Sequence, residues 1–442
     1  MSLFNDFLFK GPVPGSDNWV ALGSKVNFRH PFLAGLITPP CDYPRKLPVA
    51  DVGLTPASLK WRMSVVGYGD FAHYGVNWLI KGKALNTAQI DDLKRLAKAR
   101  MAMLNRAYCI LPAIGATPTR IVQRSIYPLI ESSEQVLISY ALGCAMAEVS
   151  VAGAIASRPG ATGALSHLFH KRLLEIGSLS TQVIKVQSTS NKVIDFIGFE
   201  SPVANIHLVE AKGTGGSFDY PALRKGLLQC EQVTGVSIMM LPPEVPTSLN
   251  VSCAYVARNK VMCGAGTVKE SVRTAIFELS PAEQVSPPFR YNKSDQKLKA
   301  AINMMFGAKM LGLYLALKAA DDVTEHGDWL AFDFISDPAE FPIEGRLSSL
   351  VVGLPKKMWS EFGELWGNSE KYLEQAKEDE VRESKEKTGR SGRGILPDKY
   401  IHDVLEHFGS AFLTDKPLWT GLDAPEGMRV DPLDPWLAFG IE

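Results

Sequence analysis

The stretch Val193–Gly216, VIDFIGFESPVANIHLVEAKGTGG, decides how this chain is read. It holds two apolar runs, the first carrying Asp195 and the second carrying Glu210 and Lys212. The second run, Asn205-Ile-His-Leu-Val-Glu-Ala-Lys212, alternates as a strand does, so Glu210 and Lys212 project from one face while Ala211 turns away. If the two runs pair as a hairpin, two carboxylates and a lysine meet at one sheet edge. Hard divalent cations such as Mg²⁺ prefer carboxylate oxygens, backbone carbonyls and water, and a neighbouring lysine can orient or deprotonate an attacking water. Phosphodiester hydrolysis is the chemistry this set suits.

An E-x-K triplet by itself is ordinary on a solvated strand or helix, so its surroundings carry the reading. Apolar runs flank both carboxylates, the turn-forming Ser188-Thr-Ser-Asn191 precedes the first, and Gly213-Thr-Gly-Gly216 follows the lysine. That glycine loop reads as a flexible turn letting backbone pass close to the site. It is not a Walker loop, because no Gly-Lys-Ser/Thr ends it.

At these residues the chain resembles the PD-(D/E)XK nuclease superfamily, whose pattern is an Asp, a variable gap, then Asp/Glu-x-Lys on the next strand. The resemblance covers about 160–280, and Ile194 stands where the family often has proline. It implies an α+β fold with a restriction-endonuclease-like mixed sheet flanked by helices and with additional N- and C-terminal regions. It implies catalytic roles for Asp195, Glu210 and Lys212, with Asp195, Glu210 and the Ala211 carbonyl holding Mg²⁺ or Mn²⁺. Glu175 on the preceding helix and Gln229 on the following one are the additional site candidates. The expected substrate is nucleic acid, DNA before RNA, in bacterial defence or a toxin-like role. The alternative is a non-catalytic nucleic-acid-binding or assembly protein that keeps the fold.

Length and charge narrow this little. A chain of 442 residues suits two or three domains, and 47 basic against 47 acidic residues leave no global field to attract nucleic acid. Six scattered cysteines without a C-x-x-C pair predict reduced thiols and a cytoplasmic location, and argue against structural zinc. The N-terminus shows no secretory leader. Val136–Ala156 is apolar over the length of a membrane span, but its small residues and Glu148 predict a buried helix, with no membrane partner. A protein partner or a second copy is compatible with the size of the flanking regions.

Composition divides the chain into an N-terminal region (1–158), the nuclease-like core (159–290) and a C-terminal α/β region (291–442). Residues 1 to about 85 read as irregular or short-stranded, followed by a helix over Thr87–Tyr108. Within the core, the pattern predicts a helix over Ala161–Ile176 and strands over 183–187, 193–199 and 205–212. A helix over 220–233 and strands over 251–258 and 272–279 complete it. In the last region a helix over Lys297–Ala320, strands over 329–335 and 347–354, and a charged segment near 370–395 ending in a mobile loop are expected. His167 and His170, three apart, and His402 and His407, five apart, read as structural pairs. His207 alternates to the face opposite Glu210. No G-x-S-x-G, H-E-x-x-H or dinucleotide fingerprint is present.

Overall fold

A computed structural model of the chain describes residues 45–47, 53–65, 87–111, 120–157, 164–165, 168–170, 184–189, 194–201, 205–238, 248–258, 270–279, 296–318, 320, 322–335, 350–388, 398–419 and 422–440. The architecture is α+β. A nine-stranded sheet runs in the order β2 (Tyr108–Leu111), β3 (Arg120–Gln123), β11 (Glu270–Leu279), β10 (Ser248–Arg258), β8 (Asn205–Gly213), β7 (Phe196–Ser201), β4 (Ala164–Leu165). Two short strands join it off that path, β1 (Arg45–Leu47) on β11 and β5 (Phe169–His170) on β7.

Towards one side of this sheet lies the hairpin β7–β8, in which Phe196 pairs with Val209 and Glu200 with Asn205. Helix α4 (Tyr220–Glu231) then returns the chain so that β10 lies parallel to β8, with Glu210 beside Val251. Asp219 starts that helix by accepting a hydrogen bond from Ala222 N, and Pro221 supplies the fixed φ of a first turn. On the opposite face lies α3 (Ser132–Ala156), packed against α2 (Thr87–Ala107) and capped by the Glu131 carboxylate on Ser133 N and Glu134 N. Ser150 on α3 meets Ser252 on β10 at 3.2 Å, a polar pair sealed between helix and sheet.

A second, five-stranded sheet is antiparallel throughout: β12 (Val323–His326), β13 (Trp329–Ile335), β14 (Leu350–Pro355), β16 (Ala438–Gly440) and β15 (Met428–Val430). Helices α5 (Gln296–Lys318), α6 (Lys356–Thr388) and α7 (Asp398–Trp419) pack beside it. Close approach joins α5 to α7: a Cβ on Gly307 would fall 1.8 Å from Leu405 O, and one on Gly409 1.7 Å from Asn303 O. Only glycine lets the two backbones touch there.

One buried core is continuous from Leu54 to Phe439, so the N- and C-terminal regions share it with the central sheet. A charged cluster crosses the same space. Arg62 on α1 (Pro56–Val65), 1% exposed, reaches Asp431 at 2.6 Å, Asp434 at 3.3 Å and Glu148 on α3 at 3.8 Å. Lys309 on α5 adds a contact to Asp434 at 2.7 Å and lies over the Trp436 ring. Burial opposes the Arg62 charge, but the three carboxylates outweigh it and hold the guanidinium protonated. Burial raises the Asp431 carboxyl above its ordinary range despite Arg62.

Several expectations are corrected. Within the stretch read as irregular or short-stranded, β1 is such a short strand, but Pro56–Val65 is a buried helix, because its apolar and small residues are claimed by the common core. The helix expected over Ala161–Ile176 is replaced, where described, by β4 and β5, which satisfy the open backbone edge of β7. The helix over 220–233 stops at Glu231, and the β-branched run that follows forms β9 (Val233–Ile238). Strand β6 (Ile184–Ser188) pairs with β9 in a separate two-stranded sheet. The charged segment is helical to Thr388, and the loop expected beyond it lies outside the described residues, as do the boundaries at 158/159 and 290/291. The helices at 132–156 and 298–318 are long and apolar enough to cross a membrane, and most of each is buried within the fold.

Replacing Arg62 with Leu should destabilise the chain by about 3–5 kcal/mol, because three carboxylates would lose the buried guanidinium that pairs with each of them. Urea unfolding followed by circular dichroism measures this. A loss under about 1 kcal/mol would show that the cluster is not a structural tie.

Candidate active site

Asp195 stands one residue before β7, at the open end of the hairpin, where the pairing of Phe196 with Val209 sets it opposite Glu210. There the backbone ladder is replaced by side chains. Asp195 N donates to Glu210 Oε2 at 3.2 Å, and Ala211 N donates to Asp195 Oδ2 at 2.9 Å. Lys212 Nζ donates to Glu210 Oε1 and, at 3.0 Å, to Gln229 Oε1 on α4. Asp195, Glu210, Lys212 and Gln229 are therefore brought together, while Glu175 lies outside the described residues.

The strand alternation gives each face a distinct task. Glu210 and Lys212 face α4, where a Cβ on Gly226 would lie 3.4 Å from Glu210 Cγ. Gly213 faces α3, and a Cβ there would lie 1.8 Å from Ser139 O. The helix thus rests directly on the strand behind the site. His207 is on that second face, paired with Glu200 at 2.9 Å and buried, away from the carboxylates. His170 lies on β5, edge-on to Phe196 and 3.4 Å from Tyr140 Oη; His167 is outside the described residues. His402 and His407 lie on α7, in the other sheet's layer.

The glycine loop is tied down along its length, contrary to the flexible turn expected of it. Thr214 N donates to Ala254 O at 2.9 Å, Val256 N donates to Gly216 O at 2.8 Å, and Gln123 Nε2 donates to Gly215 O at 2.7 Å. Tyr127, whose hydroxyl lies 3.1 Å from Ser139 Oγ, covers Gly215 so closely that no side chain fits. Gln123 and Tyr127 carry no local sequence signal for this role, since they come from a hairpin and turn about ninety residues earlier.

Burial dominates the electrostatics. It raises Glu210, with the Asp195 charge adding and Lys212 opposing, to about 8. Burial also raises Asp195, against the Ala211 N–H and Lys212. Near neutrality the pair therefore shares one proton, a property of the two groups together. The thiols of Cys144 and Cys253 are both pushed up to about 12, first by burial, and are not nucleophiles.

This donor set could hold a divalent cation. Two carboxylates face one another with a single lysine to balance them, a repulsion that a hard cation would relieve. In an extended strand a residue's N–H and C=O point to the same side, so the Ala211 carbonyl shares the edge on which its N–H meets Asp195. Among the described residues no group of three or more His, Cys, Asp or Glu gathers, so water would complete the coordination. Comparison with protein-family models, with curated proteins and with solved structures gave no match.

The shared proton has a measurable consequence. With Glu210 near 8 when folded against an ordinary 4.5, the folded chain binds more protons than the unfolded one between about pH 4.5 and 8. Stability contributed by the protonated group is full below that window and is lost as pH rises through it. Glu210→Gln cannot ionise, so in metal-free buffer its melting temperature relative to the parent should climb from pH 5 to pH 8.5, by the equivalent of a few kcal/mol at about 1.4 per pKa unit. A difference that stays flat across those pH values would contradict the shared proton.

Proposed function

We propose that this chain is a metal-dependent nuclease of the PD-(D/E)XK kind, hydrolysing phosphodiester bonds of DNA. The observation that carries the reading is the reciprocal lock between Asp195 and the Glu210–Ala211 segment, with Lys212 held beside it by Gln229. Support also comes from the order of elements: a β7–β8 hairpin, then α4, then β10 parallel to β8, which sets both carboxylates and the lysine at one sheet end.

In this reading Asp195, Glu210 and the Ala211 carbonyl hold Mg²⁺ or Mn²⁺. The cation would supply charge neutralisation at the scissile phosphate. Lys212 carries three donors, of which Glu210 and Gln229 take two, leaving the third to orient the attacking water or to stabilise the developing charge. The buried wall formed by β8 and α4 lowers the local dielectric, so each of these contacts is stronger than it would be in open water. Glu210 and Asp195 must lose their shared proton before they can serve as ligands, so cleavage should rise from pH 6 towards pH 8.

The test separates the roles. Purified protein should cut plasmid or linear DNA with Mg²⁺ and not with EDTA, with single-stranded DNA and RNA as parallel substrates. Glu210→Gln should lose cleavage and bind Mn²⁺ more weakly by calorimetry. Lys212→Ala should keep metal binding and lose roughly a hundredfold to a thousandfold in rate. Full cleavage by a Lys212→Ala variant that melts like the parent would overturn the assignment, and a parent that binds nucleic acid without ever cutting would mark a non-catalytic binding protein.

A further inference from the structure

Resting on that reading, the geometry points to Lys225 as a residue that grips a phosphate of the DNA backbone at the mouth of the site. Lys212 cannot serve a second phosphate. Two of its three donors go to Glu210 and Gln229 and the third serves the reacting centre, so none is left for a neighbouring phosphate. A phosphodiester entering there needs a second cation, placed outside the carboxylates and not already neutralised.

Helix α4 places one. Cys230 Sγ contacts Asn250 O, at the level where Asn250 pairs with Val209. Gly226, one turn earlier, lies against Val251 and Glu210, which pair with one another one residue further along β8. Moving towards the N-terminus of α4 therefore moves towards the carboxyl end of β8, where Lys212 and Asp195 lie. Lys225 is four residues before Gln229, so the two share one row of the helix, a turn of about 5.4 Å apart. Gln229 points to Lys212, and Lys225 stands on the same row at the level where the strand ends.

Lys225 is exposed, and among the described residues it makes no ion pair. The acid nearest the start of the helix, Asp219, is occupied by its cap to Ala222 N. A flexible ammonium at this place contacts a phosphate next to the scissile one without reading base sequence. It positions the substrate and takes no part in the chemical step.

The experiment measures steady-state cleavage of a linear duplex by the full chain with Mg²⁺ at several salt concentrations, for the parent, Lys225→Ala and Lys225→Arg. Lys225→Ala should raise KM about tenfold with kcat within twofold, and lower the slope of log KM against log salt by about one. Lys225→Arg should restore both. Unchanged KM and salt slope in Lys225→Ala, with the parent cutting normally, overturns this inference alone. A fall in kcat at constant KM overturns it too, since the residue would then act in the chemical step. A parent that never cuts overturns the nuclease reading and this inference with it, so the two failures are told apart by the parent's own activity.

Discussion

Two hydrogen bonds at the open end of one hairpin organise the site: Asp195 N to Glu210 and Ala211 N to Asp195. Where β7 begins, backbone pairing gives way to a carboxylate that takes the place of the next strand residue. The exchange leaves the Ala211 N–H satisfied and brings a second carboxylate alongside the first. Such an arrangement is costly, since burial raises both acids and the Asp195 charge raises Glu210 further. It persists because the surrounding structure leaves the groups no room to separate: α3 rests on Gly213 behind them, α4 lies over Glu210 in front, and Gln123 with Tyr127 pins the loop beyond. Strain of this kind gathers where a site is built to hold something.

The rest of the molecule braces that wall. Helix α3, on which the back of β8 depends, is tied through Glu148 to Arg62, and Arg62 is tied to Asp431 and Asp434 near the C-terminal end. Lys309 brings α5 into the same cluster. Residues more than 360 apart in the chain thus share one buried charge network, and the hydrophobic core runs through it without a break. A buried network of this sort stabilises less through its own attraction than through the penalty for breaking it. Its geometric effect is to fix α3 against the sheet.

The hairpin and the placement of its charged side chains were legible because their signals are local. Period-two alternation over Asn205–Lys212 set the faces of Glu210, Ala211 and Lys212, and the helix expected over 220–233 is α4, which starts at Tyr220 and stops at Glu231. Gln229 was legible as a helix residue near the site, though not as the acceptor that holds Lys212. What stayed hidden came from distant pairing. Ala161–Ile176 has helical periodicity, yet Leu168, Phe169 and His170 are buried along the edge of β7, where an open backbone ladder outweighs local preference. Arg62 carries no local sequence signal of its role, because its three acidic partners lie 86 or more residues away. Gln123 and Tyr127 were invisible for the same reason.

The claim on which the account stands is that Asp195 and Glu210 jointly hold a divalent cation. It is tested most directly by locating Mn²⁺ through its anomalous scattering in crystals of the full chain soaked at pH 8, where the shared proton is leaving. The account predicts one peak about 2.2 Å from an oxygen of each carboxylate, with the Ala211 carbonyl on its third side. Fully occupied Mn²⁺ bound elsewhere, with Asp195 and Glu210 still hydrogen-bonded to β7 and β8 and no peak between them, would contradict it.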